Sequence, residues 1–327
     1  MNKRIKENSV VCCLGDSLTE LGGWIYDIND YLARSNSKTR FFNCGIGGNQ
    51  VSMAPYYLED EVLRFKPDYV IVMFGANDIH PYLYSKDEIS RSSEEPRASE
   101  KRRLREKYIA NLELCCFLLK QRGAEVILLT PPPFDAVEEH FTTEVCYGCN
   151  EELKYYGDEV KKLAEKKKLP CIDLYDVMQQ ATLQFDKEKT VLYQQDRVHP
   201  NEDGFHVMAA AVLRGLGWDV PIPENVSQLR ALPFKKTYSN DKRFETEKIL
   251  RLLSFFDYGF FNPENGRIDR IRPWVDVEAD LINRSVNRAF DYWMDQDKYI
   301  ERTKVYVQNR PRKEELLRRL VEQTMQL

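Results

Sequence analysis

Four short segments, far apart in this chain, carry groups that together could transfer an acyl group. They are Gly15-Asp16-Ser17-Leu18-Thr19, Asn43-Cys44-Gly45-Ile46-Gly47-Gly48, Gly75-Ala76-Asn77-Asp78 and Asp196-Arg197-Val198-His199-Pro200. Cleaving an ester requires a nucleophile, a base to take its proton, a group that orients the base, and donors for the tetrahedral oxyanion. Ser17 offers a hydroxyl. Asp196 and His199 are three residues apart, so a turn would bring the carboxylate to the imidazole Nδ1–H and leave Nε2 as the base. The Ser17 and Gly48 backbone N–H groups and the Asn77 amide are candidate oxyanion donors.

Each group also has an ordinary structural reading. Ser17-Leu18-Thr19-Glu20 matches a capping box, in which the serine oxygen would be committed to the backbone. Asp196 could cap a surface turn with His199 solvated. Gly48 could serve a tight turn, and Gly45 or Gly47 could stand in its place. Asn77 could form an Asx turn.

The elements between these segments alternate. Residues 9–14 read as a buried strand, 24–34 as a helix, 40–43 as a short strand, 58–65 as a helix and 69–74 as a β-branched strand. Residues 85–107 are highly charged. Their first half reads as a surface loop and their second half opens a long helix. Residues 125–130 form a strand stopped by Pro131-Pro132-Pro133, 151–168 a helix, 169–174 a last short strand and 201–216 an Ala-rich helix. Such alternation implies a parallel sheet covered by helices on both sides. Ligand sites of such sheets lie beyond the carboxyl ends of the strands, where the first three segments fall.

From Asp219 the pattern changes. Pro221, Pro223 and Pro233 interrupt the chain, and helical stripes are expected at 239–256, at 276–298 and after Pro311, which suits a first helical turn. The division expected is a catalytic domain at 1–218 and a helical extension at 219–327. The aromatic run Phe255-Phe256-Asp257-Tyr258-Gly259-Phe260-Phe261 fits packing on the main domain, a dimer contact or a substrate lid.

The four segments resemble the blocks of the SGNH/GDSL hydrolase superfamily, over roughly residues 8–216. The resemblance implies a three-layer α/β/α flavodoxin-like fold with a parallel sheet, to which a C-terminal, mainly helical extension is added. It places Ser17, Asp196 and His199 as the catalytic triad and Ser17, Gly48 and Asn77 as the oxyanion hole, and it implies ester hydrolysis with no metal or cofactor. The substrates implied are small O-acyl esters, acetyl above all, carried on carbohydrate. Alternatives that keep the triad are hydrolysis of lipid esters or thioesters, and O-acyl transfer. An alternative of another class is a non-catalytic binding or scaffold protein. Asp16 and His80 are candidate substrate-binding residues. Tyr82 and Tyr84 are candidates for stacking on a sugar, and residues 130–134 for one wall of the site.

Composition bounds these readings. The 327 residues are 43% hydrophobic and 31% charged, enough to bury a sizeable core. A net charge of -4 argues against a nucleic-acid partner, and no apolar run approaches the roughly 20 residues of a membrane helix. Residues 1–6 are basic and 10–14 apolar, but that apolar stretch is shorter than a signal's core of about 7–15 residues. With 8 Cys, two pairs of them adjacent, disulfides are poorly placed, and a cytoplasmic protein is expected. Cys146-Tyr147-Gly148-Cys149 lacks the further ligands of a zinc site. The C-terminal helices are candidate contacts for a homo-oligomer.

Overall fold

The computed structural model describes residues 4–137, 148–234, 259–262 and 267–270. The chain divides into two compact units, Met1–Lys236 and Thr237–Leu327. In the first, a five-stranded sheet runs in the order β2-β1-β3-β4-β5, with β1 Val10–Gly15, β2 Arg40–Gly45, β3 Tyr69–Met73, β4 Glu125–Leu129 and β5 Cys171–Ile172. Every pairing is parallel. All of β3 and nearly all of β1 and β4 are buried. These are β-branched and apolar runs without alternation, as expected of strands covered on both faces.

The direction of strand addition reverses at β1, which lies between β2 and β3. Gly15 pairs with Gly45 on one side and Met73 on the other. The three strands therefore end level, and the loops that follow them emerge side by side. This is the topological switch point at which doubly wound sheets bind ligands.

Helices complete the layers. Helix α1 is Ser17–Glu20, α2 Gly23–Arg34, α3 Lys86–Arg91, α4 Glu94–Gln121, α5 Cys149–Lys167, α6 Leu174–Asp186, α7 Glu202–Leu216 and α8 Val226–Ala231. Helix α7 packs against α2 and α6, and α4 packs against α5. Asn201 starts α7 by accepting from Gly204 N–H at 3.0 Å, and Gly217, at φ 98°, ends it.

Three local expectations need correction. Residues 58–65 form no α-helix: a π-helical turn Leu58–Val62 runs into a 3-10 turn Leu63–Phe65. Pro55 and Pro67 bracket the segment, and Lys66 is left-handed at φ 50°, which leaves little room for a regular helix. The start of the charged stretch is helical as well. Ser85 caps α3, and Ser93 followed by Glu94, Glu95 and Pro96 opens α4. Helix α6 is an addition to the expected elements: Asp173 caps it by accepting from Asp176 N–H, and its buried residues Leu174, Met178, Ala181 and Phe185 repeat at helical spacing. In the second unit an antiparallel pair, β6 Gly259–Asn262 and β7 Arg267–Arg270, includes the end of the aromatic run. The helices expected at 239–256, at 276–298 and after Pro311 lie outside the described residues.

One buried ion pair ties α7 to α2. His206 Nδ1 lies 2.7 Å from Asp27 Oδ2, with side-chain exposures of 5% and 0%. Burial alone would lower the His206 pKa, but the hydrogen bond and charge of Asp27 outweigh it and hold the imidazole above its ordinary value of 6.5. A raised histidine pKa contributes stability that is fully present below about 6.5 and fades as pH rises through the folded value. Asp27→Asn should therefore cost about 3 kcal/mol at acid pH. The melting-temperature difference from wild type should narrow between pH 6 and pH 9, measured by thermal denaturation at both.

Candidate active site

Ser17 is the first residue of α1, directly after β1. The capping residue is its neighbour: Asp16 accepts Leu18 N–H on Oδ1 at 3.0 Å, and its main-chain carbonyl accepts Glu20 N–H at 2.9 Å. The alternative in which Ser17 caps the helix is not what forms: Asp16 is the cap, and the serine hydroxyl is left for another partner. That partner is His199, whose Nε2 lies 2.9 Å from Ser17 Oγ. Asp16 itself is 1% exposed. Burial pushes its carboxyl up to about 7, although the Leu18 N–H and nearby His199 favour the charged form.

The loop before α7 presents the other two groups. Asp196 Oδ2 is 2.6 Å from His199 Nδ1, and Asp196 Oδ1 accepts the N–H groups of Val198 and His199 at 3.0 Å each. Burial would raise the Asp196 pKa, but these hydrogen bonds, with the imidazole charge, hold it below the usual carboxylate range. The turn is tight because Arg197 is left-handed at φ 60°. It is anchored where Arg197 C=O accepts Asp135 N–H at 2.8 Å and the Arg197 guanidinium approaches Asp135 Oδ2 at 3.4 Å. Gln194 N–H donates to His199 C=O at 2.8 Å, and Pro200 bridges to Tyr193. With its acid anchored, His199 presents Nε2 toward Ser17.

The glycines after β2 divide their tasks. A Cβ on Gly45 would meet Glu20 N at 2.3 Å, and one on Gly47 would meet Glu20 Oε2 at 2.5 Å. Both permit close packing on α1, whereas Gly48 turns the chain in the left-handed region at φ 77°. Asn77 follows β3, and its Nδ2 donates to Asn49 C=O at 3.0 Å. One amide hydrogen is thereby engaged, which fixes the orientation of the side chain. Asp78 Oδ1 accepts Val51 N–H at 3.0 Å. Burial raises the Asp78 carboxyl to about 8 despite that donor.

The structure thus brings Ser17, His199 and Asp196 into one hydrogen-bonded chain. It also ties the Gly48 loop to the Asn77 turn. His80 and Tyr82 stand at the end of that turn, and Tyr82 is 54% exposed. Tyr84 is buried with Lys101 over its ring, so it is not available for stacking on a sugar. Pro131 packs over Gly75, where a Cβ would come within 2.7 Å of its ring. Gln50 was not among the sequence candidates. Its Nε2 reaches His80 Nε2 at 2.8 Å and Asn77 C=O at 3.4 Å, and no short motif marks it. Among the described residues, no three His, Cys, Asp or Glu side chains are grouped as a metal site would need, and no helix is long and apolar enough to cross a membrane. Cys146 lies outside the described residues.

Comparisons with known proteins identify the family and the fold. The profile of the GDSL-like lipase/acylhydrolase family matches residues 13–207. An acetylxylan esterase of Geobacillus stearothermophilus is 29% identical over 184 residues, which are 55% of this chain and 73% of that protein. A crystal structure of that bacterium's acetylxylan esterase superposes with a TM-score of 0.51 at 24% identity, covering 66% of this chain and 97% of the other. A gut microbial diltiazem-metabolizing enzyme gives a TM-score of 0.58 at 25% identity, with 66% of this chain matched to 48% of that one. This chain therefore spans about half the length of that enzyme. From the matched profile and the α/β/α sheet, the chain belongs to the GDSL-like lipase/acylhydrolase family of carboxylic ester hydrolases.

Proposed function

We propose that this protein is a serine esterase for small O-acyl esters, acetyl above all, carried on carbohydrate. The observation that carries the reading is the continuous chain from Asp196 through His199 to Ser17, with contacts of 2.6 and 2.9 Å. In this mechanism His199 Nε2 takes the Ser17 proton as Oγ attacks the ester carbonyl. The imidazolium then returns that proton to the leaving alcohol. Water resolves the acyl-enzyme by the same route, with His199 acting as base again. Asp196 fixes the tautomer and stabilises the imidazolium. The N–H groups of Ser17 and Gly48 and the free Asn77 amide hydrogen receive the oxyanion. Asp16 acts by position: its capping bonds hold the first turn of α1 and keep the Ser17 hydroxyl from capping the helix.

Support for a small acyl group on a sugar comes from the acetylxylan esterase relative, most of whose length this chain matches. Hydrolysis of p-nitrophenyl acetate, butyrate and octanoate tests the acyl preference, and acetylated xylo-oligosaccharides test the alcohol. Turnover should fall with chain length, and the acetylated sugar should be a substrate. A rise toward octanoate would point to a lipid or thioester substrate instead.

Two substitutions test the roles. Ser17→Ala should lower kcat by at least about 10³-fold. Because Asp16 remains the cap, it should leave the melting temperature near that of wild type. Asp196→Asn should lower kcat on p-nitrophenyl acetate by roughly 10³-fold through loss of the correct tautomer. If Ser17→Ala retained turnover, the nucleophile would have to lie elsewhere.

A further inference from the structure

The Gln50–His80–Tyr82 row extends from the oxyanion loops toward solvent, and its hydrogen-bond polarity follows from its contacts. A carbonyl oxygen only accepts, so the Gln50 atom at 3.4 Å from Asn77 C=O is the amide nitrogen, which donates. The same nitrogen lies 2.8 Å from His80 Nε2. That ring nitrogen must therefore accept, which leaves the imidazole neutral with its hydrogen on Nδ1. His80 Nδ1 lies 3.3 Å from Tyr82 Oη, and the two rings stand with centroids 5.5 Å apart at 51°. The Tyr82 oxygen accepts from Nδ1–H, so its own O–H is left to donate outward.

The backbone is strained at this point. His80 has φ 53° and ψ 75°, a left-handed conformation that a side chain and a following proline both disfavour. It is held by His80 N–H donating to Asn77 C=O at 3.1 Å, by Leu83 N–H donating to His80 C=O at 2.9 Å, and by Gln50. Burial lowers the His80 pKa to about 4, and Lys107 and Arg103 of α4 act in the same direction against Glu100.

We propose that Gln50, His80 and Tyr82 form a hydroxyl-reading subsite for the alcohol portion of the ester, with His80 fixed as the Nδ1–H tautomer and the Tyr82 O–H as the outward donor. The inference rests on the reading of Ser17 as the nucleophile of a carbohydrate esterase. It adds the residues that recognise the sugar. Such a subsite favours a leaving alcohol with free hydroxyl groups over an aryl alcohol with none. A row of fixed polarity discriminates because a ligand without the matching group leaves it unpaired.

The test has a kinetic arm and a binding arm. The kinetic arm compares kcat/KM on a mono-O-acetylated xyloside with that on p-nitrophenyl acetate, for wild type, Tyr82→Phe and Gln50→Glu. The ratio should fall roughly three- to tenfold in Tyr82→Phe, the range for one hydrogen bond. In Gln50→Glu the carboxylate can only accept, so the ring proton moves from Nδ1 to Nε2; the bare Nδ1 then accepts the Tyr82 O–H, which is lost to the ligand, and the ratio should fall as well. The binding arm follows the ring nitrogens of His80 by 15N NMR during titration with deacetylated xylo-oligosaccharide. At pH 7 the wild type should show an unprotonated Nε2, with resonances that move on adding sugar and move less in Tyr82→Phe.

An unchanged ratio in both variants would overturn the proposal, and so would a proton on Nε2 in the wild type. So would His80 signals indifferent to sugar. Turnover that survives Ser17→Ala would overturn the esterase reading instead, and the binding arm would still decide the subsite.

Discussion

The hydrogen bond between Ser17 and His199 joins residues 182 positions apart at 2.9 Å, and the rest of the first unit serves that meeting. A contact of this kind has little value if either partner moves, because a base acts only within hydrogen-bond reach of its proton. Each end is held by an aspartate whose carboxylate accepts neighbouring backbone N–H groups. At the serine end, β1 and the Asp16 cap fix the first turn of α1. At the histidine end, Asp196 receives two N–H groups from its own turn, and Asp135 anchors that turn from outside.

The sheet explains why the oxyanion candidates lie nearby. Because β1 sits between β2 and β3 and all three end level, the loops carrying Ser17, Gly48 and Asn77 leave the sheet as neighbours. Cross-bonds then stitch the second loop to the third: Asn77 to Asn49, Asp78 to Val51 and Gln50 to His80. Donors fixed before the reaction need no reorganisation when charge develops, which is the physical basis of an oxyanion hole. Two of the carboxyls in this layer, Asp16 and Asp78, are buried and pushed up to about 7 and 8. Their charge is disfavoured by burial, so each is kept for its acceptor oxygen on a neighbouring N–H.

Much of this was legible in the residues. The buried strands showed as continuous apolar runs, and the motif residues stood just past them. What could not be read were local conformations set by tertiary contacts. Whether Ser17 or Asp16 caps α1 depends on which of two adjacent residues keeps the extended backbone of the strand, and that residue is Asp16. The turns at residues 58–65 depend on two prolines that flank an otherwise helical pattern. Helix α6 carried a cap and a repeat of its own, but its start lies one residue past a two-residue strand, where the short period of the strand hides it. Gln50 is an ordinary polar residue, and its significance comes entirely from reaching His80 and Asn77 across two loops. The three glycines after β2 could be told apart only by what a Cβ would strike.

Activation of Ser17 by His199 is what sets this site apart from a pair of ordinary turns. The most direct measurement is mass spectrometry of the protein after brief exposure to a serine-directed fluorophosphonate, with the adduct located by peptide mapping. One adduct is expected, on Ser17, formed at least tenfold more slowly in His199→Ala. An adduct on another residue, or equal labelling of Ser17 with and without His199, would contradict it.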